Sequence, residues 1–212
     1  EKSSWERVNY YANHESDDSL KPYGWAGKHW SSAVAAEHRA TRENAGLFDE
    51  SSFAKAIVSG AQAAEFLNWV CANDVVKGVG RTVYTQALNT RGGIESDYTV
   101  TQTGDTQFFI ITGTAFSTHD FGWLEKQKRE GGFSDVTIKV VTEDFACFAL
   151  MGPKARTILS KATDYDLSHA NFPFMHSREI NIAGTKVRAT RLTYVGELGW
   201  EIYAPVADGK KV

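Results

Sequence analysis

Residues 84–100 read YTQALNTRGGIESDYTV. Arg81 to Leu88 alternates and is rich in β formers, Asn89–Gly93 supplies a tight connection, and Ile94 to Thr101 returns, which predicts a β-hairpin. The Gly92-Gly93 pair lets backbone approach a neighbour or ligand closely, because neither residue has a Cβ. On the return strand Ile94, Ser96, Tyr98 and Val100 share one face, while Glu95, Asp97 and Thr99 share the other. Asp97 is thereby expected in a cleft with Tyr84 from the preceding strand. Alternation alone leaves a second reading open, in which the acid is simply solvated on an exposed sheet face.

Working outward, a helix is expected from near His29, with Trp30, Ala33, Val34 and Ala40 on one face and Gly46 as its cap. Residues 1–28 read as an extended arm. Phe53 to Val58 reads as a strand, and Ala63, Phe66, Leu67 and Val70 mark an amphipathic helix. Downstream, Gln107–Thr112 is a third strand. The helix after it should carry Phe116, His119, Trp123 and Leu124 inward, with Lys126, Lys128 and Arg129 outward. Strands follow at Val136–Thr142 and Phe145–Leu150, then a short helix after Pro153 and a loop over Asp164–Phe174. Arg178–Ile182 and Lys186–Thr193 form a hairpin through Ala183-Gly184, and a last strand covers Gly199–Tyr203. Strands interleaved with helices over short connections predict an α+β protein with mostly antiparallel sheets.

Composition narrows the classes. The chain has 212 residues, 23 basic against 26 acidic, and a net charge of −3, which argues against a nucleic-acid binder held by basic charge. No run approaches the roughly 20 apolar residues of a membrane span, and no cleavable signal is visible. Glu1 rather than Met stands first, as expected of a piece of a longer chain. Cys71 and Cys147 each sit in an apolar stretch, so both are expected as buried hydrophobes in a reducing compartment, the cytoplasm or, in a eukaryote, the mitochondrial matrix. No two histidines have the i, i+4 spacing of a helical zinc site, and no metal is expected. Nucleophile-elbow, P-loop and GxGxxG motifs are absent.

A second informative stretch is Thr193–Tyr203, TYVGELGWEIY. It sets Glu197 in a Gly-rich turn and Glu201 in the following strand, among aromatics. A carboxylate against aromatic walls suits a flat ring bearing N–H donors. The plainer reading is a turn acid and a surface strand acid.

RENAGLFDESSFAKAIVSG, YTQALNTRGGIESDYTV, FALMGPKA and TYVGELGWEIY stand in the order and spacing of the folate-dependent aminomethyltransferase family, typified by the T-protein of the glycine cleavage system, and the chain resembles that family over nearly its whole length. The stretch WERVNYYA…KHWSSAVAAEHRATRENAGLFD is closer to one branch, the folate-binding C-terminal half of dimethylglycine and sarcosine dehydrogenases. The resemblance implies two interleaved lobes, one from 1–57 and 141–212 and one inserted at 58–140, with the family's C-terminal barrel domain absent from this chain. It implies Asp97 as the catalytic carboxylate. Tyr84 becomes a folate-pocket residue, and Glu201 or Glu197 the pterin ligand, with Tyr194 and Tyr203 close by. T-proteins carry Asn where this chain has Thr112, a departure within the pocket set that favours the amine-oxidising branch.

The implied cofactor is tetrahydrofolate, with FAD only where an upstream oxidoreductase half exists. The implied partners are folate, a small methylated amine or aminomethyl donor, and a fused or partner flavin oxidoreductase, with no nucleic acid and no membrane. The implied activity is one-carbon transfer to folate. The alternatives are a methyl-transferring demethylase of the same family and a non-catalytic folate-binding module.

Overall fold

The computed structural model describes residues 32–212, so the arm over 1–28 and Trp30 lie outside the described residues. Helix α1 (Ser32–Glu43) leads into strand β1 (Gly46–Asp49). Gly46, expected as a cap, is the first residue of that strand. A Cβ there would lie 2.7 Å from Thr41 Oγ1 and 2.9 Å from the Phe48 ring, so a larger residue would wedge helix and strand apart. Periodicity missed β1 because it is only 4 residues long and leaves both Leu47 and Phe48 exposed.

Then come β2 (Ala54–Ser59), α2 (Ala63–Val70), β3 (Thr82–Leu88), β4 (Ile94–Gly104), β5 (Gln107–Thr112), α3 (Ser117–Glu130) and β6 (Thr137–Val140). The strands pair antiparallel in the order β3-β4-β5-β2-β6. One face of this sheet packs under α2 and α3, with Val58, Tyr98, Phe108 and Ile110 meeting Phe66 and Leu124. Helix α2 buries Ala63, Phe66, Leu67 and Val70, the four positions its period marks. Helix α3 is rotated from its expected phase. Asp120, Phe121 and Leu124 turn inward, while Phe116 is 58% exposed and His119 lies at the rim. The cause is polar: Asp120 accepts hydrogen bonds from Ser96 Oγ and Thr112 Oγ1, so a satisfied carboxylate takes an inward place that hydrophobicity assigned to its neighbours.

The hairpin turn is closed by Asn89, whose Oδ1 accepts the N–H groups of Arg91 and Gly93, and Gly92 takes φ +79. Ala87 pairs with Ser96 and Leu88 with Ile94, so Glu95 is an extra residue in β4. That bulge re-aims Glu95 away from the Asp97 face and toward His119, 3.7 Å away.

The second sheet is built from β1 and from β7 (Phe145–Met151), β8 (His176–Ile182), β9 (Thr185–Arg191) and β10 (Gly199–Pro205), with α4 (Ala155–Leu159) after β7. Its order is β1-β7-β10-β9-β8, again antiparallel. Ala183 (φ 50) and Gly184 (φ 75) make the two-residue β8–β9 turn. Trp200, Ile202 and Ala204 face an outer core with Leu159 and Phe172. The alternate residues of β10, Glu201 and Tyr203, face the other way. Tyr203 and Cys147 there join Phe109 and Ile111 of the first sheet in a small core between the sheets. Both cysteines are buried and free, as read from their apolar settings.

The architecture is α+β, two five-stranded antiparallel sheets with few helices. The lobe boundary expected between 57 and 58 falls inside β2, which belongs wholly to the first sheet; we propose that the chain crosses between lobes at 50–53 and 141–144. Among the described residues, no helix is long and apolar enough to cross a membrane.

Candidate functional site

Two side-chain hydrogen bonds mark the space between the sheets. The Tyr84 hydroxyl donates to Asp97 Oδ2 at 2.6 Å. Thr99 Oγ1 and the Tyr194 hydroxyl lie 3.1 Å apart and bridge one sheet to the loop above the other. Register explains the first pair: Tyr84 stands opposite Thr99 and Gln86 opposite Asp97, so Tyr84 reaches Asp97 diagonally along one face. Asp97 is exposed, and its hydrogen bond raises the pKa of the Tyr84 phenol. The unshared lone pairs of the carboxylate remain open to a proton donor.

Tyr194 is presented by a short turn in which Thr193 Oγ1 accepts the N–H groups of Val195 and Gly196, and Gly196 takes φ +96. Tyr84, Thr99 and Tyr194 line a cavity of about 600 Å³ with Arg81, Phe174 and Leu192. A second cavity, about 590 Å³, shares Thr193 and Tyr194 and is lined by Arg42, Phe48, Glu50 and Glu197. Arg42 pairs with Glu197 at 3.7 Å, and Glu197 Oε2 is buried with no hydrogen-bond partner among the described residues. Thr99→Val should therefore lower stability by about 0.5–1.5 kcal/mol in a denaturant titration, the worth of a typical hydrogen bond.

Glu201 is the fully buried acid of the site. Tyr203 donates its hydroxyl to Glu201 Oε2, while Oε1 has no partner among the described residues. Burial pushes the carboxyl from 4.5 up to about 7, against the opposing effect of the Tyr203 hydrogen bond. Tyr203 is itself held edge-on against Phe109, with ring centroids 5.1 Å apart. Glu201 lines neither cavity.

Tyr84 and Tyr194 thus line one cavity and Glu197 the other, while Asp97 is an exposed acid that joins the first through its bond to Tyr84 and lines neither. Tyr203 lies in the core between the sheets with Glu201 bonded to it. Thr112 is not brought to them. It points to the helix face of β5, where it donates to Asp120, so the residue standing in place of Asn serves the α3 anchor. Reading the sequence for acids and aromatics passed over Lys55, which is buried on the inter-sheet side of β2. Its signal was a lone cation inside an otherwise apolar alternating strand, AKAIVS.

The fold agrees with comparisons to known proteins. A family model described as the GCVT N-terminal domain matches residues 1–212, and the chain belongs to that family. Mitochondrial dimethylglycine dehydrogenase of Mus musculus is 33% identical over 201 residues, covering 95% of this chain and 23% of that protein. An aminomethyltransferase of Listeria welshimeri is 35% identical over 190 residues, covering 89% of this chain and 51% of that protein. The chain therefore spans about a quarter to a half of the length of these relatives. Among solved structures, the glycine cleavage system aminomethyltransferase T of Bartonella henselae superposes with a TM-score of 0.73 at 29% identity, covering 90% of this chain and 51% of that one. Heterotetrameric sarcosine oxidase of Corynebacterium sp. U-96 shares the fold with a TM-score of 0.61 at 16% identity, over 83% of this chain and 85% of that one.

Proposed function

We propose that this domain binds tetrahydrofolate between its two sheets and transfers a one-carbon unit to it from a methylated amine or aminomethyl donor. The observation that carries the reading is the pairing of Tyr84 with Asp97 at 2.6 Å beside a cavity of about 600 Å³ with an aromatic wall. The unpartnered Oε1 of buried Glu201 fits the pterin, since a buried carboxylate oxygen without a donor is completed by a ring that supplies an N–H group, while Tyr203 serves the other oxygen. When bound, tetrahydrofolate supplies the nucleophilic nitrogens N10 and N5 that accept the one-carbon unit.

The protein's own residues do the rest. Asp97 takes the proton that the attacking nitrogen loses and offsets the positive charge of an iminium donor. Tyr84 orients that carboxylate through its hydrogen bond. Tyr194 and Thr99 hold the two sheets at one spacing, which keeps both reactants in register and limits water at the reactive carbon. Glu201 recognises the pterin; Glu197, in the acidic second cavity, is the other acid able to do so.

A methylated amine is favoured as the donor by the likeness to dimethylglycine dehydrogenase, which also supports a fused or partner flavin oxidoreductase and a mitochondrial matrix setting in a eukaryote. The test is to supply tetrahydrofolate and the amine donor to the full-length protein and follow the folate product. Appearance of 5,10-methylenetetrahydrofolate supports one-carbon transfer, and 5-methyltetrahydrofolate indicates the demethylase instead. Tight folate binding with neither product would leave a non-catalytic module.

A further inference from the structure

Lys55 is 0% exposed, and among the described residues no acidic side chain bonds it. Its Nζ donates to the carbonyls of Ser51 at 2.8 Å, Phe53 at 2.9 Å and Thr142 at 3.4 Å. All three acceptors lie on or beside the two segments that join the sheets. Burial lowers the pKa of this ammonium, and the negative charges of Asp49 and Glu201 work the other way; hydrogen-bonded only to neutral carbonyls, the charge it carries is poorly screened. By strand alternation Lys55 shares the face of Ile57, which packs into the core between the sheets. From the opposite sheet Glu201 shares the face of Tyr203, a member of the same core. A buried cation and a buried acid with one unpartnered oxygen therefore face one small layer from its two sides.

We propose that Lys55 is the buried counter-charge that favours the ionised form of Glu201 for a donor-bearing ring, a positioning residue that acts through Glu201. The inference deepens the folate reading and rests on it for the identity of the ring. Around Glu201 stand Tyr203 on its own strand, Cys147 on β7, Tyr194 in the loop after β9, Glu50 after β1 and Lys55 on β2. Glu50 disfavours a second negative charge, and Lys55 favours it. Burial holds the thiol of Cys147 and the phenols of Tyr194 and Tyr203 protonated, so they bring no compensating charge. Among these neighbours the cation is Lys55.

Two measurements test the idea in Lys55→Met and, to retain hydrogen-bond donors for the three carbonyls should Met not fold, Lys55→Gln. The first follows the Glu201 carboxyl by ¹³C NMR across pH 5–9 in the ligand-free protein. The titration midpoint should move up by about one pH unit or more when the cation is removed. An unchanged midpoint overturns the proposal. The second measures tetrahydrofolate affinity of the full-length protein over the same range. The variant should bind roughly tenfold more weakly near pH 7 and recover most of the wild-type affinity by about pH 9, because Glu201 then ionises without help. A loss of equal size at every pH would mean that Lys55 only braces the sheet crossings, and would also overturn it. Absence of tetrahydrofolate binding by the wild type at every pH would fail the folate reading, while the carboxyl titration would still decide the role of Lys55.

Discussion

Asp97→Asn in the full-length protein is expected to lower one-carbon transfer by roughly 10²-fold or more while tetrahydrofolate affinity changes by less than about threefold. Asparagine keeps the shape of the side chain and can still accept the Tyr84 hydrogen bond, so the β3–β4 face is preserved. It cannot take a proton from an attacking nitrogen, and it carries no charge to face an iminium. Both losses fall on the transition state rather than on bound folate, so turnover and not affinity should move. Single-turnover kinetics with calorimetric titration of tetrahydrofolate separates the two. If affinity falls as far as turnover, Asp97 positions the ligand and is not the base.

Glu201→Gln should change two quantities in opposite directions. Binding of tetrahydrofolate should weaken by about 1–3 kcal/mol, because an amide presents one acceptor oxygen where the carboxylate offers two and leaves a buried N–H of the ring unmatched. Stability of the ligand-free protein should instead rise at neutral and higher pH. A carboxyl moved from 4.5 up to about 7 by burial holds its proton in the folded state after the unfolded chain has released it. The native state therefore binds more protons across that window, and stability falls as pH rises from about 4.5 through 7. The full loss is on the order of 3 kcal/mol, is complete above the folded pKa, and is absent below 4.5. Glutamine, which never ionises, should flatten that part of the profile. Chemical denaturation at pH 4.5, 6 and 8 reads the effect. A wild-type profile that stays level, or one that Glu201→Gln leaves unaltered, contradicts the burial argument. If Glu201→Gln leaves folate binding intact and Glu197→Gln weakens it, the pterin acid is the one in the open second cavity.

The hairpin of residues 84–100, helix α2, the β8–β9 turn and the α+β class were legible in the sequence alone. Each is declared by a local device: alternation on the strands flanking a Gly-Gly turn, an apolar stripe at Ala63, Phe66, Leu67 and Val70, and an Ala183-Gly184 pair that takes up positive φ. The pairing of Tyr84 with Asp97 was legible for the same reason, since two strands joined by a short turn have few registers open to them.

What local pattern could not carry was decided between distant elements. β1 pairs with β7 across about a hundred residues of chain and has no period of its own. The phase of α3 was set by Asp120, whose partners Ser96 and Thr112 come from two different strands, and hydrophobicity has no term for a buried carboxylate that is fully hydrogen-bonded. The same contact took Thr112 away from the cleft, and a single extra residue at Glu95 turned that side chain away from the face its position implied. Glu201 and Lys55 could be seen as charges in apolar strands, but not that both face one dry layer from opposite sheets. Sequence by itself determined which residues can form a strand, a turn or an acid-bearing edge, because those depend on neighbours along the chain. The tertiary structure alone decided which charges meet, because desolvation and Coulomb energy depend on distance through space.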